Sequence, residues 1–451
     1  MKRKKLLLIV VSLILMLSLV VGCSTTDSNS PATTNNNAST ESNNTSTEST
    51  ESVKITFLNS KGEIQSQLET AAEQFAKENP NITVDVIPAA AGQSPFEKIS
   101  SMYASGNAPA LAMLDPGDIV QFKDNFLDLS NEKWVSDTVA GALDDATIDD
   151  KVMAFPFAIE GYGLIYNKVV LDKAFGGSFD PKSIKTRNDL EDAFKKVEAT
   201  GVKALEISPM DWSLGGHFLP IAYTAQSKDP AQVYAFISDL KAGKVDLANN
   251  EVFNGLMDTF DMMKKYNLDK DDPLSPTYDK GPQVIGQGQV GFWFMGNWAW
   301  PQIKEFDTAN EQYGFVPVPI SNDPNDYGNS EIPVGPTKLI GVDKAQNNQA
   351  QQDAAKEFLN WLVYSQSGQD ALVNQCNVIP AFKNIELVPN DPLAKSIEQY
   401  ISEGNTLKFI TAPLPADHWS KLGASMQKYL AGVIDRKGLV NDIESYWESV
   451  Q

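Results

Sequence analysis

Three of the chain's eight tryptophans fall within nine residues, in Phe292-Trp293-Phe294-Met295-Gly296-Asn297-Trp298-Ala299-Trp300. An indole offers a broad apolar face that suits the C–H face of a pyranose ring. The ring's hydroxyls then need carboxylates, amides or basic groups beside that face. The same pairing of aromatic and polar residues recurs at Pro209-Met210-Asp211-Trp212-Ser213 and at Glu160-Gly161-Tyr162. Together these segments point to a cleft for a neutral, polyhydroxylated ligand. Each aromatic taken singly fits a core position equally well.

Other chemistries find little support. Two His and two Cys leave little for zinc ligation, a His-dependent triad or a redox pair. His217 and His418 read as ordinary polar contacts, and Cys376 as a small buried thiol. Gly286-Gln287-Gly288-Gln289-Val290-Gly291 fits G-x-G-x-x-G, but a helical stretch precedes it and a strand follows, the reverse of a dinucleotide site. Asp269-Lys270-Asp271-Asp272-Pro273 lacks the glycine and closing Glu of a calcium loop and reads as a solvated turn. The 58 acids supply carboxylate pairs by abundance alone, and no pair is singled out for glycoside hydrolysis. No catalytic residue, metal ligand or cofactor is therefore assigned.

The 451 residues carry 37 Lys plus Arg against 58 Asp plus Glu, a formal charge of -21, which argues against binding nucleic acid or an anionic surface through bulk charge. The N-terminus stands apart. Lys2, Arg3, Lys4 and Lys5 precede an apolar run from Leu6 to Val21, broken by Ser12 and Ser18, as in a secretory signal. The run is short against the about 20 apolar residues of a membrane span. Val20-Val21-Gly22-Cys23 resembles the lipobox of bacterial lipoproteins, so residues 1–22 are expected to be removed and Cys23 lipidated. Residues 23–52 follow as a Ser, Thr and Asn-rich tether with too little apolar surface to offset its chain entropy. From Cys23 onward the net charge is -25, because the first 22 residues hold four basic groups and no acid.

The remainder alternates strands and helices. Val53-Lys54-Ile55-Thr56-Phe57-Leu58 alternates like a strand, Ile64, Leu68, Ala71 and Phe75 recur at helical spacing, and Ile82 to Ile87 is a second strand. Asn79-Pro80 stops the intervening helix. Strand, helix, strand in so short a span predicts an α/β fold with a largely parallel sheet. Further helices are expected over 188–199, 230–241, 250–266 and around Ala355 to Leu362, with a strand from Val290 to Met295. Trp298 and Trp300 then lie beyond a strand's carboxyl end, where clefts of α/β sheets open.

Several segments, taken in order, are similar to those of a known family. They are Phe75 to Val84 (FAKENPNITV), Ala104 to Pro109, Lys151 to Lys168 with its Tyr166-Asn167-Lys168 ending, Gly296 to Trp300, and Tyr313 to Pro319, followed by the helix around Ala355 to Leu362. On these, residues 53–451 resemble the family 1 extracellular solute-binding proteins of ABC importers, the group that includes maltose-binding protein. Two positions depart from the family pattern: Ala110 stands where an Asp is usual, and Ile184 to Asp189 lacks a usual Pro-x-Thr-Trp.

The resemblance implies a type II two-lobed periplasmic-binding-protein-like fold, each lobe a mostly parallel sheet flanked by helices, joined by hinge strands. One lobe is expected to comprise 53–159 and 313–350, the other 160–312 and 351–451. It implies a monomeric receptor, not an enzyme, that captures a sugar or oligosaccharide between closing lobes and presents it to the importer's permease subunits. The lipid on Cys23 would hold it at the extracytoplasmic face of a bacterial cell membrane. By position in the family, Trp298, with Trp300 as alternative, and Trp212 would stack on the ligand. Glu160, Asp115, Asp211, Lys61 and Glu63 would bond to it, with Tyr162 and Glu331 as further candidates. A same-fold receptor for a glycerophosphodiester or a polyamine, and a glycan-active enzyme, are the competing classes.

Overall fold

The computed structural model describes residues 52–89 and 94–450. The basic leader, Cys23 and all of the tether but its last residue lie outside the described residues. In chain order the strands are β1 (Val53–Asn59), β2 (Ile82–Pro88), β3 (Leu111–Leu114), β4 (Thr147–Ile148), β5 (Lys151–Val152), β6 (Phe155–Asn167), β7 (Lys203–Glu206), β8 (Val290–Gly296), β9 (Tyr313–Val316), β10 (Ile332–Val342) and β11 (Thr406–Lys408).

The first βαβ unit follows from its residues. In the helix Gln65–Glu78, Leu68, Ala71, Ala72 and Phe75 are buried, the i, i+3, i+4, i+7 spacing of an inward stripe. That stripe shares a core with Ile55 and Phe57 of β1, which pairs in parallel with β2 from Val53↔Ile82 to Asn59↔Pro88. β3 joins the other side of β1, also in parallel. The helices expected over 188–199, 230–241 and 250–266 form as Arg187–Ala199, Pro230–Lys241 and Glu251–Tyr266.

The principal sheet runs β2-β1-β3-β10-β6-β8-β7, with β11 on β10 and β9 on β6. Its hub is β6, thirteen residues long and buried throughout. Phe155 to Gly161 pair antiparallel with β10, whereas Tyr162 to Tyr166 pair antiparallel with β8. The parallel ladders, β2-β1-β3 and β8-β7, lie outside this antiparallel centre. One strand thus serves both halves of the α/β body, and the switch of partner falls at Glu160-Gly161-Tyr162.

Three hydrophobic clusters fill this body, and the first also takes Trp293, Met295, Tyr313 and Phe315 from the later half. Phe57, Phe75 and Phe358 meet in the first, with Phe358 centroids 6.0 Å from Phe57 and 5.2 Å from Phe75. Phe194, Phe218, Phe260, Phe292 and Phe294 belong to the second. This packing corrects the expected division of the chain. The helix Gln349–Tyr364 lies on β1 and the Gln65–Glu78 helix, and Trp361 donates its indole N–H to Glu78 over 2.6 Å, so residues 349–385 pack with 53–159 and not with the later half. Conversely β9 pairs with Leu164 to Asn167, and Val316, Val318 and Ile320 sit in the second core, so the chain returns to the first half at β10, not at Tyr313. Both bounds rest on the resemblance to the family, which gives the order of the segments but not which part of this sheet each one packs on. Among the described residues no helix is long and apolar enough to cross a membrane.

Candidate functional site

The partner switch in β6 gathers charged side chains from three strands. After β1 ends, Asn59 ties down the next turn: its Oδ1 accepts from Lys61 N at 2.8 Å and its Nδ2 donates to Lys61 O at 2.9 Å. This aims the Lys61 ammonium at Glu160 Oε1, 2.5 Å away, and at Glu63 Oε1, 2.7 Å away. Lys61 and Glu160 are 4% and 6% exposed, so the pair is largely out of water. The second Glu160 oxygen accepts a hydrogen bond from the Thr337 hydroxyl. Burial pushes the Glu160 carboxyl up, but the Lys61 charge and the hydrogen bonds from Lys61 and Thr337 outweigh it and hold it below the usual range. Burial likewise lowers Lys61, and Glu160 and Glu63 more than restore it. Glu160 is therefore an ionised acceptor.

Thr337 reaches Glu160 because β10 is irregular there. Pro336 pairs with Ile159 and Lys338 with Ala158, so Thr337 is an extra residue in the ladder, a bulge that re-aims its neighbours. Lys338 then reaches Asp115 Oδ1 at 2.5 Å. Asp115 opens the helix Pro116–Phe122 that follows β3. Behind it lies Asp118, 7% exposed, whose carboxyl is pushed up to about 7 by burial and by the Asp115 charge.

Aromatic rings face these charges. Trp298 stands in the turn after β8, fixed where Asn297 Oδ1 accepts from Gly161 N at 2.9 Å. Its indole lies on Gly296, where any Cβ would overlap the ring. Trp212 and His217 come from a π-wound stretch, Trp212–Phe218. Ring centroids are 6.5 Å apart for Trp212–Trp298, 5.0 Å for His217–Trp298 and 5.7 Å for Trp212–Tyr278. A narrow crevice opens where Trp298 meets the Lys61–Glu160 pair, bounded by Lys61, Glu63, Glu160, Asn297, Trp298 and Asn377. A wider surface concavity beside Asp261, Lys264, Lys270 and Pro273 has no aromatic lining.

Lys61, Glu63, Glu160, Asp115, Trp212 and Trp298 are thus brought together. Trp300 is not: it is 2% exposed and packs on Tyr313 with centroids 5.6 Å apart, so it is a core residue and no alternative to Trp298. Tyr162 is 1% exposed and supports the site from beneath, its ring against His217 at 4.9 Å and Phe409 at 5.0 Å. The Asp211 carboxylate accepts from Trp212 N at 2.8 Å and so positions that residue. Glu331 closes its own loop, accepting from Gly328 N at 2.8 Å and Ser330 N at 3.1 Å. Sequence reasoning missed Thr337, Lys338, Asn297, Tyr278 and Asn377. Pro336 within a strand was the available hint of the bulge, since proline removes a ladder donor. Asn377, at φ 53°, gave no such warning.

Residues 70–398 match the model of the bacterial extracellular solute-binding proteins. Solved structures share the fold at low identity. The solute-binding protein RafE in complex with raffinose is 19% identical, with a TM-score of 0.72 over 88% of this chain and 99% of its own. A sugar transporter from Bacillus licheniformis in complex with stachyose is 19% identical, with a TM-score of 0.69 over 88% and 100%. A family 1 extracellular solute-binding protein from Bifidobacterium longum subsp. infantis is 20% identical, with a TM-score of 0.63 over 88% and 99%. The switch strand β6, the paired parallel ladders and the matched span of 329 residues agree: this chain belongs to the bacterial extracellular solute-binding proteins and has their two-lobed α/β fold.

Proposed function

We propose that this protein is the substrate-binding receptor of an ABC importer and that its solute is a sugar or oligosaccharide, held between the two lobes. The observation that carries this is Trp298 lining one crevice with the Lys61–Glu160–Glu63 cluster, with Trp212 packed beside Trp298. Indole faces suit the C–H face of a sugar, and an ionised carboxylate with a bound ammonium suits its hydroxyls. RafE and the Bacillus licheniformis protein, of the same fold, were solved with raffinose and stachyose. The competing ligands fit less well. A phosphodiester needs a free cation, but Lys61 and Lys338 are each committed to a carboxylate at 2.5 Å. A polyamine needs free carboxylates, and Glu160, Glu63 and Asp115 already face lysines. Glu160, kept ionised, is not the proton-donating acid of a glycosidase.

In this function the lobes are 53–159 with 338–385, and 162–331 with 406–450. A solute touching both stabilises the closed arrangement by its differential affinity, and the permease subunits receive that form. Cys23 carries the lipid, and 24–52 tether a monomer at the extracytoplasmic face of the membrane. The test is calorimetry with a panel of neutral oligosaccharides, run beside chromatography of the incubated sugar. Binding without turnover is the expected result. Product formation, or silence across the panel, would overturn the proposal.

A further inference from the structure

The protein has two histidines, and they are in opposite situations. His418 is 1% exposed, with its Nε2 at 3.2 Å from the Tyr223 hydroxyl. His217 is only half-buried and packs on Trp298, which lines the crevice. Its ring is packed by Tyr162 at 4.9 Å, Trp298 at 5.0 Å, Trp212 at 5.5 Å and Phe409 at 5.7 Å between centroids. Four rings fix its orientation, yet among the described residues neither ring nitrogen is hydrogen-bonded to a protein group. The charged groups that face it are Glu160, Asp115 and Lys338. Burial, more than any of these charges, pushes its imidazole down to about 4. At neutral pH it is therefore uncharged, with one N–H donor and one bare nitrogen acceptor.

The local winding explains why this ring is in the site. At 3.6 residues per turn, residues five apart point about 140° away from each other. Trp212–Phe218 is instead bonded with a wider turn, Leu219 N to Leu214 O at 3.0 Å, which brings Trp212 and His217 onto one side. Such π segments are uncommon and concentrate at functional sites.

We propose, building on the sugar-receptor function above, that His217 is a specificity-determining ligand contact. Its neutral imidazole offers one nitrogen to a hydroxyl of the sugar ring seated against Trp298, as donor or acceptor according to the tautomer, and turns the other nitrogen away from that hydroxyl. A carboxylate only accepts and an ammonium only donates. A neutral imidazole locked in place by four rings meets a hydroxyl at only one position on the sugar, and so favours one epimer over another.

The test is calorimetry of the protein with raffinose, stachyose, maltose and a chitin oligosaccharide, comparing wild type, His217→Phe and His217→Asn. His217→Phe keeps a ring among the four aromatics and removes both nitrogens. For any sugar that binds wild type, it should lose tenfold or more in affinity, while its melting temperature holds. His217→Asn restores a donor and an acceptor and should bind more tightly than His217→Phe. Equal binding by His217→Phe and wild type overturns this role for His217 and leaves the receptor function standing. Failure of wild type to bind any of the four sugars defeats the receptor function itself and this role with it. Should His217→Phe not fold, nitrogen NMR of the histidine-labelled wild type decides: sugar must move the His217 imidazole signals and leave those of His418, and no movement overturns the proposal.

Discussion

Glu160 shows how a buried charge is made tolerable. Removing a carboxylate from water costs several kcal/mol unless its lone pairs are met. Lys61 and Thr337 meet both oxygens, and Glu63 takes the remaining reach of the ammonium. An arrangement so complete leaves a ligand little to gain from charge, so affinity must come largely from the aromatic face. Trp298 is the test of that. It is partly exposed, lies flat on Gly296, and its neighbours Ala299 and Trp300, not its own ring, fill the core. Trp298→Ala is expected to weaken sugar binding by about tenfold or more, because a stacked indole supplies much of the buried contact area. Its denaturation midpoint should stay near wild type. Unchanged affinity by calorimetry would remove Trp298 from the site.

At the scale of elements, the site is built from departures from regularity. The β1–helix–β2 unit and the carboxyl-end position of Trp298 were legible in the sequence, because they follow from period two and period 3.6, whereas Glu160 was singled out by its place beside Tyr162 and by the family resemblance. The bulge at Thr337 and the π winding of Trp212–Phe218 were not: an extra residue in a ladder or a widened turn leaves the residue types unchanged. For the same reason His217 looked like an ordinary polar contact and Trp300 like a spare stacking ring. What holds the π segment is a close approach of backbones. A Cβ on Gly215 would strike Trp419 O, and one on Gly423, in the helix His418–Leu430, would strike the backbone of Asp211. Gly423→Ala should therefore push Asp211 and Trp212 away from their places. A destabilisation of about 1–3 kcal/mol is expected by chemical denaturation. A loss of sugar affinity should accompany it, although residue 423 touches no ligand. Full affinity in a destabilised variant would show that the site does not depend on this packing.

For the whole molecule, the surplus of acids sets how stability answers to pH. Glu206, at the end of β7, is fully buried, and its carboxyl faces Asp269, to which only its protonated form can donate a hydrogen bond. Burial first, and then the Asp269 charge, raise its carboxyl from 4.5 to about 8, with Lys280 opposing while bound to Asp269. The native chain thus keeps a proton on Glu206 that the unfolded chain releases near pH 4.5. Between these two values the native state binds more protons, so the contribution of Glu206 is whole below about pH 4.5, erodes as pH rises and is spent by about pH 8. Asp118, raised to about 7, acts in the same direction over a narrower window. Glu160 acts in the opposite sense, because its lowered carboxyl adds stability above the unfolded value and loses it on acidification. Glu206→Gln keeps the size of the side chain and removes the titration. Wild type is expected to lose melting temperature from pH 5.5 to pH 8.5, and Glu206→Gln to lose less, by about 2 °C or more. Parallel curves for the two proteins would mean that Glu206 is already ionised in the fold, and that the loss with pH comes from repulsion spread over the acidic surface.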